Sequence, residues 1–250
     1  MPTRLVHLAI DCADPAGLAR FWAAVLGWEV AQDEDHADDD ESVAWPSGYR
    51  YPDPVALPLV FVPVPERKTV KNRVHLDLPS QSADHQAAQV SRLRDLGARP
   101  ADIGQGDDVP WAVLADPEGN EFCVLDPRPA YRDTGPVAAV VADCADPPSL
   151  VSFWELASGF ARTGSADGWE QLRSPAGVGP YLELLRVPDT KTVKNRVHLD
   201  VAPYQGEDLA ADVARLQQAG AVPIDIGQGD VSWTVLADPE RGEFCVLTPR

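Results

Sequence analysis

Hydrophobic positions along the first 125 residues follow two alternating periods. Arg4 to Asp11 switches between apolar and polar like a strand. Asp14-Pro15 then supplies an N-cap and a proline at the first helical position. Leu18, Phe21, Trp22, Val25 and Leu26 recur on one helical face until Gly27 closes it. Extended segments follow near Trp28–Val30, Val43–Trp45 and Leu57–Val64, where Pro54, Pro58, Pro63 and Pro65 predict edge or interrupted strands. The pattern then restarts, with a strand over Arg73–Leu78 and a helix over Asp84–Leu96 ended by Gly97. Strands near Arg99–Asp102, Trp111–Ala115 and Glu121–Leu125 complete it. Two βαβββ units are therefore expected in this half.

The second half repeats the first. Lys68-Thr69-Val70-Lys71-Asn72-Arg73-Val74-His75-Leu76-Asp77 returns unchanged as Lys191 to Asp200, 123 positions later. Around it, Asp11-Cys12-Ala13-Asp14-Pro15 matches Asp143 to Pro147, and Phe21-Trp22 matches Phe153-Trp154. Asp102 to Asp107 matches Asp225 to Asp230, and Val113 to Glu118 matches Val235 to Glu240. The chain is a tandem duplication of four βαβββ units in all, an α+β protein. We expect one domain over residues 1–128, a turn-rich linker over 129–136, and a second domain over 137–250. A βαβββ sheet covers one face with its helix, so two units can share the other face and form a cup.

Composition narrows the partners. A formal charge of −18 opposes nucleic acid and anionic membranes. Much of it sits in Asp33 to Glu41, which reads as a solvated acidic loop rather than a calcium loop. Neither a signal peptide nor a membrane span is expected, so the protein reads as cytoplasmic, a monomer or homodimer. The cysteines recur as Cys12/Cys144 and Cys123/Cys245, and free thiols are expected.

Arg4-Leu5-Val6-His7, Val25-Leu26-Gly27-Trp28 and Asp116-Pro117-Glu118-Gly119-Asn120 together resemble the vicinal oxygen chelate superfamily, the glyoxalase and bleomycin-resistance fold. The resemblance spans nearly the whole chain, twice. It implies tandem glyoxalase-like domains, each of two βαβββ modules forming a cup-shaped sheet. For function it spans metal-dependent isomerases, epimerases, dioxygenases and thiol transferases as well as non-catalytic drug binders.

Metal-dependent members take ligands from the first, fourth, fifth and eighth strands. In the first copy these positions fall on His7, Val60, His75 and Cys123; in the second, on Ala139, Glu183, His198 and Cys245. The expected metal set is His7, His75 and Cys123, suited to zinc. Glu121, two residues from Cys123 and on the same face, is the alternative third ligand, giving the two-histidine, one-carboxylate pattern of iron sites. Without a metal, the same residues would line a dry cup. Dioxygenase relatives carry a tyrosine three residues before the Asp-Pro, where this chain has Val113.

Other candidates concern a small-molecule ligand. Lys68, Lys71 and Arg73, repeated as Lys191, Lys194 and Arg196, either gather an anion or tie modules together by salt bridges. Gly104-Gln105-Gly106 and Gly227-Gln228-Gly229 match no phosphate-binding motif. Trp45, Trp111 and Trp233 lie where they can wall a cup for a flat or apolar ligand. Two functions follow. One is a binder holding an apolar or aromatic metabolite or antibiotic, with Arg73, Glu121, Glu183 and His198 among its lining residues. The other is a metal-assisted lyase, isomerase or epimerase in the first domain.

Overall fold

The computed structural model describes residues 3–31, 41–51, 53–106, 108–229 and 231–250. The acidic segment of Asp33 to Asp40, with His36, lies outside them. Each module contributes one strand, one helix and three further strands. Module one comprises β1 (Arg4–Cys12), α1 (Pro15–Leu26), β2 (Glu29–Ala31), β3 (Ser42–Trp45) and β4 (Leu59–Pro63). Module two comprises β5 (Val74–Ser80), α2 (Ala83–Asp95), β6 (Arg99–Pro100), β7 (Ala112–Ala115) and β8 (Glu121–Pro127). After a single 3-10 turn at Pro129–Tyr131 come β9 (Ala139–Cys144), α3 (Pro147–Ser158), β10 (Ala161–Ala166), β11 (Trp169–Arg173) and β12 (Tyr181–Arg186). Module four holds β13 (Val197–Ala202), α4 (Leu209–Gln218), β14 (Val222–Pro223), β15 (Thr234–Ala237) and β16 (Glu243–Val246). No helix among the described residues is long and apolar enough to cross a membrane.

Local chemistry sets the helix ends. Asp14 accepts from the Gly17 N–H at 2.9 Å, Pro15 needs no donor partner, and Gly27 takes the left-handed conformation (φ 69°) that stops α1. The Glu118 carboxylate also accepts from the main-chain N–H groups of Ala13 and Asp14, and Glu240 does the same for Ala145 and Asp146. The repeated Asp-Pro-Glu motif is thus a clamp on the entry to the partner module's helix.

The four modules make two eight-stranded sheets, and the pairing crosses the sequence halves. One sheet runs β14-β15-β16-β13-β1-β4-β3-β2, joining modules one and four; the other runs β10-β11-β12-β9-β5-β8-β7-β6, joining modules two and three. Each sheet is closed at its centre by an antiparallel pair, β1 with β13 and β5 with β9. The expectation that each sequence half builds its own cup is therefore corrected. Within a half, the modules instead stack back to back through their helices. Trp22 of α1 packs edge-on against Phe122 of β8 (centroids 5.1 Å), and Trp154 of α3 against Phe244 of β16 (5.5 Å). Both indole N–H groups are satisfied, donating to Asp116 and Asp238 at 3.2 Å. These contacts belong to one apolar core shared by the backs of both sheets. The concave faces are left for function.

Candidate functional site: two cups related by the duplication

The first cup is the concave face of the sheet from modules one and four. His7, Ala9 and Val60 lie there from one side, His198, Asp200 and Cys245 from the other, as the register of β1 with β13 and β4 dictates. Its floor is a small apolar cluster of Val6, Ala202, Cys245 and Leu247, with Trp233 and Val235 packed on it. His7 Nε2 lies 3.0 Å from Asp200 Oδ2, and the other Asp200 oxygen accepts from the Cys245 N–H at 3.2 Å. Burial alone would raise the Asp200 pKa, but the His7 hydrogen bond, the two neighbouring histidines and the Cys245 N–H outweigh it and hold the carboxyl below its ordinary range. His198 Nε2 faces the Asn195 carbonyl oxygen at 2.7 Å. Trp45 stacks on Tyr49 at 6.2 Å toward the cup's outer edge.

The second cup belongs to modules two and three. It brings together His75 and Asp77 from β5, Cys123 from β8 and Glu183 from β12. Leu125, Tyr131 and Ala138 form its apolar part with Trp111, Val113 and Tyr181. Glu183 is held by three donors: Tyr131 O–H (2.7 Å), Gln171 Nε2 (2.8 Å) and Trp169 Nε1 (3.2 Å). Asp77 is treated otherwise. Its Oδ1 is buried without a hydrogen-bond partner, and His75 Nε2 approaches it only to 3.5 Å. Burial, followed by the charge of Glu183, lifts the Asp77 pKa to about 7, against the pull of the Cys123 thiol and Arg128. Burial, aided by Lys71 and opposed by Glu121, lowers the His75 pKa to about 4, so its imidazole is neutral at pH 7. Burial beside Asp77 pushes the Cys123 thiol up.

The expected set of His7, His75 and Cys123 is thereby split. His75 and Cys123 share a cup; His7 lies in the other, because β1 pairs with β13 rather than β5. What joins His75 and Cys123 is Asp77, and the donor atoms of these three lie within 4.8 Å of one another. Asp77 ends the repeated decapeptide. Its spacing of two from His75 on a strand could have pointed to it. The alternative third ligand, Glu121, is committed elsewhere, accepting from Lys68 Nζ (2.7 Å) and the Asn72 N–H (3.1 Å).

The basic repeats meet in a groove of about 680 Å³ lined by both decapeptides. Their charges are spent internally. Lys68 and Lys191 pair with Glu121 and Glu243, while Lys71 and Lys194 pair with Asp143 and Asp11. Arg73 donates to the Asp189 and Asp143 carbonyls, and Arg196 to those of Glu66 and Asp11. The segment is a staple between modules, which explains its repetition. The glycine-rich loops are likewise structural: Gln105 accepts from Trp111 Nε1 at 2.8 Å and Gln228 from Trp233 Nε1 at 3.0 Å.

The sequence model of the glyoxalase-like domain matches residues 7–125 and again 139–247. The chain belongs to the glyoxalase-like domain family. None of the curated proteins compared matches it significantly. Among solved structures, glyoxalase I from Zea mays aligns with a TM-score of 0.67 at 13% identity, over 98% of this glyoxalase-like chain and 92% of its own. A putative dioxygenase from Bacillus subtilis aligns at 0.63 and 15% identity, over 99% of this chain and 85% of its own. At such identity the likeness establishes the tandem glyoxalase-like fold and leaves the reaction to the residues in the cups.

Proposed function

We propose that the protein binds a small organic molecule in its cups. One observation carries this reading. In each cup one of the four metal positions implied by the family is apolar and another is engaged by the protein itself. In the first cup these are Val60 and His7, the latter bonded to Asp200. In the second they are Ala139 and Glu183, the latter held by three donors. The four-position set does not fit a metal. The aromatic and apolar surfaces around Trp233 and Trp111 fit a flat or apolar guest, a metabolite or antibiotic held out of water. Titration with the neutral planar dye Nile red, with Trp111→Phe and Trp233→Phe as reporters of each cup, tests it. Saturable tryptophan quenching, lost in one variant, supports binding and names the cup. No quenching, with no thermal shift from a panel of planar metabolites, sinks it.

A second reading has its own observation. His75, Asp77 and Cys123 form a compact cluster around an unpartnered carboxylate oxygen, a set chemically suited to zinc or iron. A metal held there would act as a Lewis acid toward oxygens of a bound guest. Because Cys123 is protonated and Asp77 half-protonated near pH 7, uptake would release protons and strengthen as pH rises. Elemental analysis of protein purified without chelator, compared with His75→Ala, decides it. Near-stoichiometric zinc or iron lost in the variant favours a lyase, isomerase or epimerase of glyoxalase type. Protein that stays metal-free after zinc is added at pH 8 removes this reading.

A further inference from the structure

Arg4 is a buried cation of the first cup that keeps open donors. It is only 8% exposed, yet its Nε and Nη1 have no hydrogen-bond partner. Nη2 donates to the main-chain oxygen of Arg250, and the Tyr51 side chain also lies in hydrogen-bonding reach of the guanidinium. A guanidinium is charged at every relevant pH and carries five N–H donors, so a buried one with open donors calls for an anion. The register aims it into the cup. Arg4 pairs with Ala202 and His7 with Asp200, and the irregularity between Leu5 and His7 puts Arg4 and His7 on the same face although they are three residues apart. Ala202 belongs to the apolar floor.

The walls around Arg4 are aromatic. Its guanidinium carbon lies 4.2 Å from the Tyr204 ring centroid and 5.6 Å from that of Tyr51. A second guanidinium, Arg250, sits 5.9 Å from the same Tyr51 ring and adds positive charge. Cation–π contact partly compensates the charge but leaves the in-plane N–H groups free to donate. The second cup supplies the control. There Arg173 lies over Tyr181 at 4.5 Å, but its Nε, Nη1 and Nη2 all donate, to Gly179 O, Tyr181 Oη and Asp133 O. Arg196 of the inter-module staple leaves only its Nε open, with both Nη atoms donating, whereas Arg4 leaves two of its three nitrogens open. By the alignment of Asp11 with Asp143, the counterpart of Arg4 in module three is Pro136, so the duplication does not require an arginine here.

We infer that Arg4 is a specificity residue of the first cup, which takes a small planar carboxylate. The anion docks on the open guanidinium N–H groups, and the apolar body lies against Tyr51, Tyr204 and the floor of Val6 and Ala202. The inference rests on the binding reading above and names the ligand class for one of the two cups.

Benzoate and its neutral isostere benzamide test it, by tryptophan fluorescence and thermal shift at low salt, with Nile red as the charge-independent probe. The expected result is binding of benzoate about tenfold tighter than benzamide or better, weakening with added salt. Arg4→Met should abolish the preference and leave Nile red binding intact. Arg4→Lys, which keeps the charge but loses the planar fork, should retain a reduced preference and guards against a misfolded methionine variant. Equal affinity for benzoate and benzamide in the unaltered protein, or a benzoate preference that survives in a folded Arg4→Met, overturns the role of Arg4. If Nile red still binds in that case, cup binding itself stands. If none of the three probes binds, both readings fall together.

Discussion

Asp77 and Asp200 end the same ten-residue sequence on equivalent strands, yet the two cups treat them in opposite ways. Asp200 meets His7 across the central strand pair and is held ionised; Asp77 meets Ala139 at the corresponding place and its pKa rises to about 7. Their neighbours follow suit. His198 is turned to a main-chain carbonyl, whereas His75 leans toward Asp77 and Cys123. The difference between the cups therefore comes from what modules one and three bring to each sheet, since the decapeptides of modules two and four are identical. Identical chemistry became a closed polar pair in one cup and an open cluster in the other.

The comparison can be broken or sharpened from the back of the sheets forward. Behind the cups the halves are equivalent, so Trp22→Ala and Trp154→Ala should each destabilise by about 3–5 kcal/mol and by similar amounts, read by urea unfolding. Unequal losses would mean that the asymmetry reaches the core. At the cup floors the signs should diverge. Asp200→Asn should cost about 2–3 kcal/mol near neutral pH, because it removes the charged acceptor shared by His7 and the Cys245 N–H. The folded pKa of Asp200 is depressed, so its contribution is present above the ordinary carboxylate range and is lost as pH falls through the lower folded value.

Asp77→Asn should instead stabilise, by about 2 kcal/mol at pH 8 and almost nothing near pH 4. The folded state holds this proton more tightly than the unfolded chain, so ionising Asp77 costs stability progressively as pH rises from the usual carboxylate range to about 7. Unfolding of both asparagine variants across that range checks the pair; parallel curves would erase the distinction between the cups. The smallest effect lies at the β15–β16 turn. Arg241 there adopts φ 71°, where the first copy has Gly119 at φ 90°. Arg241→Gly should gain about 0.5–1 kcal/mol in thermal unfolding without touching ligand binding.

Much of the fold was legible in local pattern. Asp14-Pro15, the spacing from Leu18 to Leu26, and Gly27 define α1 to the residue, and all four of the expected strands of the second module appear where the pattern placed them. The reading of the basic repeats as ties between modules was also available, because a clamp for substrate has no reason to recur unchanged. The metal set was not legible. Grouping His7 with His75 assumed that neighbours in sequence share a sheet, and hydrophobic alternation says which face a residue takes but not which module will pair with it. Arg4 carries no such signal, since nothing along the chain distinguishes a satisfied arginine from an open one.

By itself, then, the sequence determined four βαβββ modules, their helix caps, their apolar backs and the family they belong to. All of these depend on residues within a few positions of one another or on burial of one face. The tertiary structure alone decided that module one pairs with four and two with three. That choice depends on complementarity between strands about 60 to 200 residues apart, and it is what placed His7 on Asp200, left Asp77 with His75 and Cys123, and aimed Arg4 into a cup.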